Sequence, residues 1–193
     1  MPRIETDSLA QHRDWRRNQL IEAAAAIALE SGGDAITVAA VAHRAGLSRT
    51  SVYEYFASSS DLIADLVIDE LESFAHILTE AIGDVRDPYQ ALEIWIATSL
   101  TYVADGRHLL AKALNSTHLP TERSAAIGSA HRSLLAPLRS NLEEVGLEDI
   151  AQALTLLQSA TDVATKRIEN GNDAEREILK TTAFCIAGIR ALI

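Results

Sequence analysis

The chain has 193 residues, 48% apolar and 23% charged, with 27 acidic against 17 basic side chains and a formal charge of −10 at neutral pH. That is the composition of an ordinary globular protein, long enough to bury one or two cores without disulfide or metal support. Taken over the whole chain, the acidity disfavours a protein that coats nucleic acid, since phosphate affinity comes from Lys and Arg.

Apolar residues recur at spacings of three and four along most of the chain. Leu20, Ala24, Ile27 and Ala28 mark a first helix over 12–31, followed by two short helices over 38–45 and 49–56. Leu62, Leu66, Phe74 and Leu78 mark a helix over 61–82. Asp87, Pro88 and Gln90 supply a cap, a first-turn proline and a capping-box partner for a helix over 88–105. Further helices are expected over 107–115, 121–144, 148–170 and 173–192, with Asn172 and Glu175 capping the last and Pro137 bending or splitting the seventh. No period-two alternation persists, so the fold class is all-α with about nine helices. The short elements end near Ser58, which divides the chain into domains 1–58 and 59–193.

Residues 37–56 read TVAAVAHRAGLSRTSVYEYF. Thr37 caps a helix of about two turns, Gly46 turns the chain, and Ser48 caps a second short helix, with Val38, Val41, Ala42, Leu47, Val52 and Phe56 facing inward. This is the layout of a helix-turn-helix, whose second helix enters the major groove by its N-terminal residues. Arg49, Thr50 and Ser51 hold that end. An arginine fork matches guanine O6 and N7, and small hydroxyls approach bases closely. Ser48 at the helix N-terminus, Tyr53 and Tyr55 are suited to phosphates. Two helices about a glycine turn also occur in proteins that never touch DNA.

The run TVAAVAHRAGLSRTSVYEYFASSSDLI, with the preceding RRNQLIEAAAAIALESGGDAI, resembles the N-terminal domain of the TetR family of transcriptional regulators over about residues 16–66. The matching features are Ala24, Ala28, Gly33, Thr37, Val38, Ala42, Ala45, Gly46, Ser48, Tyr53, Phe56 and Leu62. Beyond them the match is one of length and helical plan. The resemblance implies a homodimeric repressor that binds a palindromic double-stranded DNA operator and is released by a small-molecule effector. It also implies that Arg49, Thr50 and Ser51 face bases while Thr37, Tyr53 and Tyr55 hold phosphates. Where family members commonly place a phosphate-reaching lysine at the start of the fourth helix, this chain has Ser59, which keeps a donor and loses the charge. The family geometry permits Arg13, Arg16 and Arg17 as a phosphate clamp; a solvated basic turn is the alternative. Glu54 is expected to point away, toward Arg44 or solvent.

By the same resemblance the helices over 148–192 would pair with those of a second copy, their small residues allowing close approach; completing a monomeric core is the alternative. The family places an effector pocket among the helices of 61–170. Trp95, Ser99, Tyr102, His131, Leu135, Leu157 and Thr161 are the candidates here, and their mixture suits a lipophilic or aromatic effector. His108 and His118 are expected at the surface or as caps.

No metal or cofactor is expected. The six histidines form no HxxxH or HExxH pair, and the single Cys185 excludes both a disulfide framework and a multi-thiolate site. No nucleophile elbow or phosphate loop is present, so the chain does not read as an enzyme. No apolar run reaches the ~18 residues of a membrane span, and the polar start does not read as a signal peptide, so the expected compartment is the cytoplasm with no membrane partner. Competing readings are an all-helical protein-interaction adaptor without DNA binding and a small helical enzyme using His108 with Asp105. Residues 1–60 carry six arginines against seven acidic residues, net −1, leaving −9 for residues 61–193. The acidity therefore belongs to the second part of the chain.

Overall fold

A computed structural model describes residues 6–114 and 121–193. Among them it contains nine α-helices and no strand: α1 (Thr6–Ser31), α2 (Val38–Arg44), α3 (Arg49–Tyr53), α4 (Ser59–Ile82), α5 (Pro88–Ala104), α6 (Leu109–Leu114), α7 (Ser124–Glu144), α8 (Ile150–Glu169) and α9 (Ala174–Ala191). Short 3-10 turns precede α2, over Gly33–Ala35, and α7, over Thr121–Arg123. The all-α reading and the number of helices hold. His118 lies outside the described residues.

Two compact units divide the chain, and the division differs from a cut at residue 58. The first comprises residues 1–70 and 110–128, the second 71–109 and 129–193. The first unit extends past residue 58 because its core needs the start of α4: Leu62, Ile63 and Leu66 are buried with Leu20, Ala24, Ile27 and Ala28 of α1, Val41 and Ala42 of α2, and Val52 of α3. Leu114 of α6 is buried in the same cluster, which explains why a later segment returns to this unit. The second unit buries Leu92, Trp95, Ile96 and Leu100 of α5 with Leu134, Leu138 and Leu142 of α7, Leu157 of α8, and Cys185, Ile186 and Ile189 of α9.

Helix ends follow local chemistry. The Asp87 carboxylate accepts the Tyr89 N–H at 3.0 Å ahead of Pro88, as the sequence suggested. The cap of α9 is Asp173, which accepts the Arg176 N–H at 3.1 Å, and not Asn172. Asn172 instead donates to the Arg167 carbonyl at 2.8 Å and so closes the end of α8. Pro137 does not split α7, which is continuous from Ser124 to Glu144. Proline removes one helical hydrogen bond, but buried Leu134, Leu138 and Leu142 hold this face of the helix in the core, and Asn141 Nδ2 donates to the Pro137 carbonyl at 2.7 Å. The α3 helix is shorter than expected, ending at Tyr53 and not at residue 56, because Phe56 turns into the core with only 3% exposure.

Candidate nucleic-acid interface

The turn between α2 and α3 is built by three residues. Gly46 adopts φ +67°, a left-handed conformation that strains any residue with a Cβ, and Leu47 N–H then bonds back to the Ala42 carbonyl at 2.9 Å. Thr37 Oγ1 accepts the Ala40 N–H at 3.1 Å, and Ser48 Oγ accepts the Ser51 N–H at 3.0 Å, so both helices are capped by their own hydroxyls. Val41 and Val52, fully buried, lock the pair to each other.

This frame leaves the N-terminus of α3 open. Ser48, Arg49 and Thr50 are exposed, and Arg49 has no ion-pair partner among the described residues. Ser51 is half-buried and its hydroxyl lies 2.9 Å from that of Ser48, so it is engaged within the cap. Tyr53 is exposed, while Tyr55 is half-buried with the Arg13 guanidinium 6.0 Å from its ring centre. Thr37 is exposed at the start of α2. Ser59 is half-buried in the first turn of α4, whose cap is Ser58: its Oγ accepts the Asp61 N–H at 3.1 Å and donates to the Asp61 carboxylate at 3.0 Å.

The arginines separate into two sets. Arg13 and Arg49 are exposed and Arg16 is half-buried, with no carboxylate partner shown for any of them. Arg17 is held by Asp65 at 2.8 Å and Asp69 at 3.8 Å. Arg44 does not meet Glu54. Its Nη1 and Nη2 donate to both oxygens of Glu30 at 2.6 and 2.7 Å, because the end of α2 lies beside the end of α1, and Glu54 is exposed. The hydrogen-bonded Arg44 guanidinium holds the Glu30 carboxyl below the ordinary carboxylate range.

Sequence reasoning missed Asp65 and Glu30 as partners of Arg17 and Arg44. A signal for the first was present: Asp61, Asp65 and Asp69 recur every four residues and form one acidic stripe on α4.

In the second unit, Trp95 and Tyr102 are buried, Tyr102 stacks on Phe74 with ring centres 4.4 Å apart, and Ser99 donates to the Ile96 carbonyl at 2.8 Å. Leu157 shares the core with Trp95, Leu135 packs against it, and Thr161 donates to the Leu157 and Gln158 carbonyls at 3.0 Å. His131 is exposed and does not join them. An apolar cavity of about 210 Å³ lies between α8 and α9, and a surface groove of about 480 Å³ lies between α5 and α9. Leu157 lines the former; the other six candidates line neither. His108 is half-buried immediately ahead of α6, where its Nε2 lies 2.9 Å from Glu169 and its Nδ1 has no partner among the described residues, so no pairing with Asp105 is seen.

Among the described residues no group of three or more His, Cys, Asp or Glu side chains could hold a metal, and no helix is long and apolar enough to cross a membrane.

A capped helix-turn-helix with an open, arginine-bearing recognition end defines a DNA-binding unit, and comparison with known proteins agrees. Residues 20–66 match the family described as bacterial regulatory proteins, tetR family. The chain is 26% identical to the HTH-type transcriptional repressor KstR of Rhodococcus jostii, over 84% of each chain. It is 28% identical to the HTH-type transcriptional regulator BetI of Brucella canis, over 74% of this chain and 68% of that one. Among solved structures, FadR of Bacillus subtilis, in complex with stearoyl-CoA, superposes with a TM-score of 0.73 at 22% identity, covering 88% of this chain and 97% of the other. Over residues 20–66 the chain carries the N-terminal DNA-binding domain of the TetR family. It is a DNA-binding transcriptional regulator and not an enzyme.

Proposed function

We propose that the protein is a ligand-responsive repressor that acts in the cytoplasm, binds a palindromic operator as a homodimer, and leaves it when a lipophilic or aromatic effector occupies the second unit. The observation that carries this reading is the open N-terminus of α3, where Ser48 fixes the helix start and Arg49 and Thr50 are presented to solvent with no competing carboxylate shown for Arg49. Arg49 reads a guanine through two hydrogen bonds, and Thr50 contacts an adjacent base. Thr37, Ser48, Tyr53, Tyr55, Ser59 and Arg16 hold phosphates on either side, and Ser51 supports the base-reading end through its bond to Ser48.

One α3 helix reads too few base pairs for specificity, so a second copy is required about 34 Å away along the duplex. The exposed apolar residues Leu156 and Val163 of α8 and Phe184 of α9, with exposed Gly188 beside them, support pairing through these two helices. For the effector, the apolar surroundings of Trp95, Tyr102 and Leu157 favour a lipophilic or aromatic molecule. The Trp95 Nε1–H, buried with no partner among the described residues, offers it one donor.

The DNA half is tested by selecting duplexes from a random pool with wild type and with Arg49→Ala. Loss of a guanine preference in each half-site is expected, equivalent to ~1–3 kcal/mol of discrimination. Identical selected sequences would remove Arg49 from base reading. The effector half is tested by screening acyl and aromatic compounds for release of the selected duplex; compounds that raise the melting temperature without releasing DNA would count against it.

A further inference from the structure

Asp65 on α4 stands between two cations within the first unit. Arg17 of α1 donates to its Oδ2 at 2.8 Å, and Arg123, closing the 3-10 turn ahead of α7, pairs with its Oδ1. Both carboxylate oxygens are thus engaged, and the Asp65 side chain is only 15% exposed. Arg17 also reaches Asp69 one turn further along α4, and its guanidinium lies 5.9 Å from the ring centre of Phe56, the buried residue at which the chain leaves α3. One carboxylate therefore ties together α1, α4 and the segment 121–128, and through Arg17 reaches the exit of the recognition helix. That segment belongs to the first unit and is continuous, through α7, with residues of the second.

Resting on the DNA-binding reading above, we infer that Asp65 is a positioning residue for operator binding. It holds Arg17 as a strut beside Phe56 and latches Arg123 to α4, and Arg17 is a structural cation, not a phosphate contact. If Arg17 left this arrangement for a phosphate, Oδ2 of a mostly buried carboxylate would lose its partner and Asp65 would keep only Arg123, a loss that a protein interior penalises. The arrangement also sets the sign of an experiment. A carboxylate close to DNA ordinarily repels it, so neutralising one ordinarily tightens binding. Neutralising a carboxylate that positions the recognition helix weakens it.

The full-length protein and its Asp65→Asn, Asp65→Glu, Arg17→Gln and Arg123→Gln variants, with the Asp65→Asn/Arg123→Gln double variant, are titrated against a fluorescent duplex selected by wild type, at several salt concentrations. Asp65→Asn is expected to weaken binding by about 2- to 30-fold despite removing a negative charge. Arg123→Gln should do likewise, the double variant should be no worse than the poorer single, and Asp65→Glu should recover most of the loss. Arg17→Gln should lower affinity with an unchanged salt slope. If Asp65→Asn does not fold, the Arg123→Gln affinity and slope decide alone, an unaltered affinity overturning the inference. It is equally overturned if Asp65→Asn binds as well as or better than wild type, or if Arg17→Gln reduces the log–log salt slope by about 0.9 per protomer, the signature of a lost phosphate contact. A wild-type protein that selects no duplex overturns the DNA-binding reading itself, an outcome distinct from any of these.

Discussion

At the scale of single residues, two titrating groups give measurable consequences. The Glu30 carboxyl is held below its ordinary range by the hydrogen-bonded Arg44. A carboxylate whose affinity for protons is lower in the folded state than in the unfolded state stabilises the fold at pH above the ordinary carboxylate range, and that contribution disappears as the pH falls through and below it. Thermal melting of wild type and Glu30→Gln should therefore differ most at neutral pH and converge as the pH falls through and below the ordinary carboxylate range. A gap that widens on acidification would contradict the pairing. Cys185 behaves in the opposite sense: burial pushes its thiol up to about 11, which leaves very little thiolate at neutral pH. Alkylation by iodoacetamide should be slow in the folded protein and rapid in denaturant, and rapid modification without denaturant would show that this part of α9 opens readily.

At the scale of elements, the helix-turn-helix rests on few residues, and its stability can be probed one at a time. Gly46 has open space where a Cβ would project, so Gly46→Ala meets no clash, and its cost comes from the left-handed backbone alone, about 1–2 kcal/mol. Chemical denaturation should report that loss, with Gly46→Asn milder, since asparagine tolerates this conformation. A Gly46→Ala variant as stable as wild type would mean the turn relaxes to another geometry. This unit was legible from sequence because its signals are local: Thr37 and Ser48 each cap a helix starting at the next residue, and glycine at 46 answers a backbone demand. The α9 cap was placed one residue early, since Asn172 and Asp173 are both good cap residues and only the folded chain shows Asn172 turned back to the Arg167 carbonyl. The partners of Arg17 and Arg44 were not legible for a different reason. An arginine is chemically suited to phosphate and to carboxylate alike, and the choice is made by Asp65 and Glu30, which tertiary packing brings to it. The candidate pocket was legible only in part: periodicity put Trp95 and Leu157 in one core, but it could not show that His131, on the same helix as buried Leu134, faces solvent.

At the scale of the whole molecule, an unpartnered apolar stripe and an uneven charge distribution determine what DNA binding should look like. Phe184 is 71% exposed, Gly188 follows it one turn on along α9 and Leu192 lies just past the helix end, while exposed Leu156 and Val163 repeat over two turns of α8. Water-exposed apolar residues clustered in this way mark an interaction surface. In a twofold pairing every contact occurs twice, so a single substitution acts twice. In the proposed dimer, Phe184→Asp removes two aromatic burials worth ~1.5–3 kcal/mol each and places two carboxylates in the contact, a loss on the order of 4 kcal/mol, or about a thousandfold in the dimer dissociation constant. Because Phe184 lies largely outside the core of its own chain, the variant should retain its helical circular dichroism. It is expected to sediment as a monomer at micromolar concentration and to bind a full selected site no better than a half-site. Salt dependence gives a second reading of the same assembly. With Arg17 and Arg44 neutralised by Asp65 and Glu30, Arg13 and Arg16 are the cations of this face left free to reach phosphates, and if both do so on each protomer of the proposed dimer the four together should give a log–log salt slope of magnitude about 4. Recruiting Arg17 and Arg44 as well would raise it to about 7. A Phe184→Asp monomer should show half the wild-type slope, because halving the number of protomers on the duplex halves the counterions released; a slope unchanged by the substitution would mean that DNA, and not the α8–α9 face, brings the two copies together.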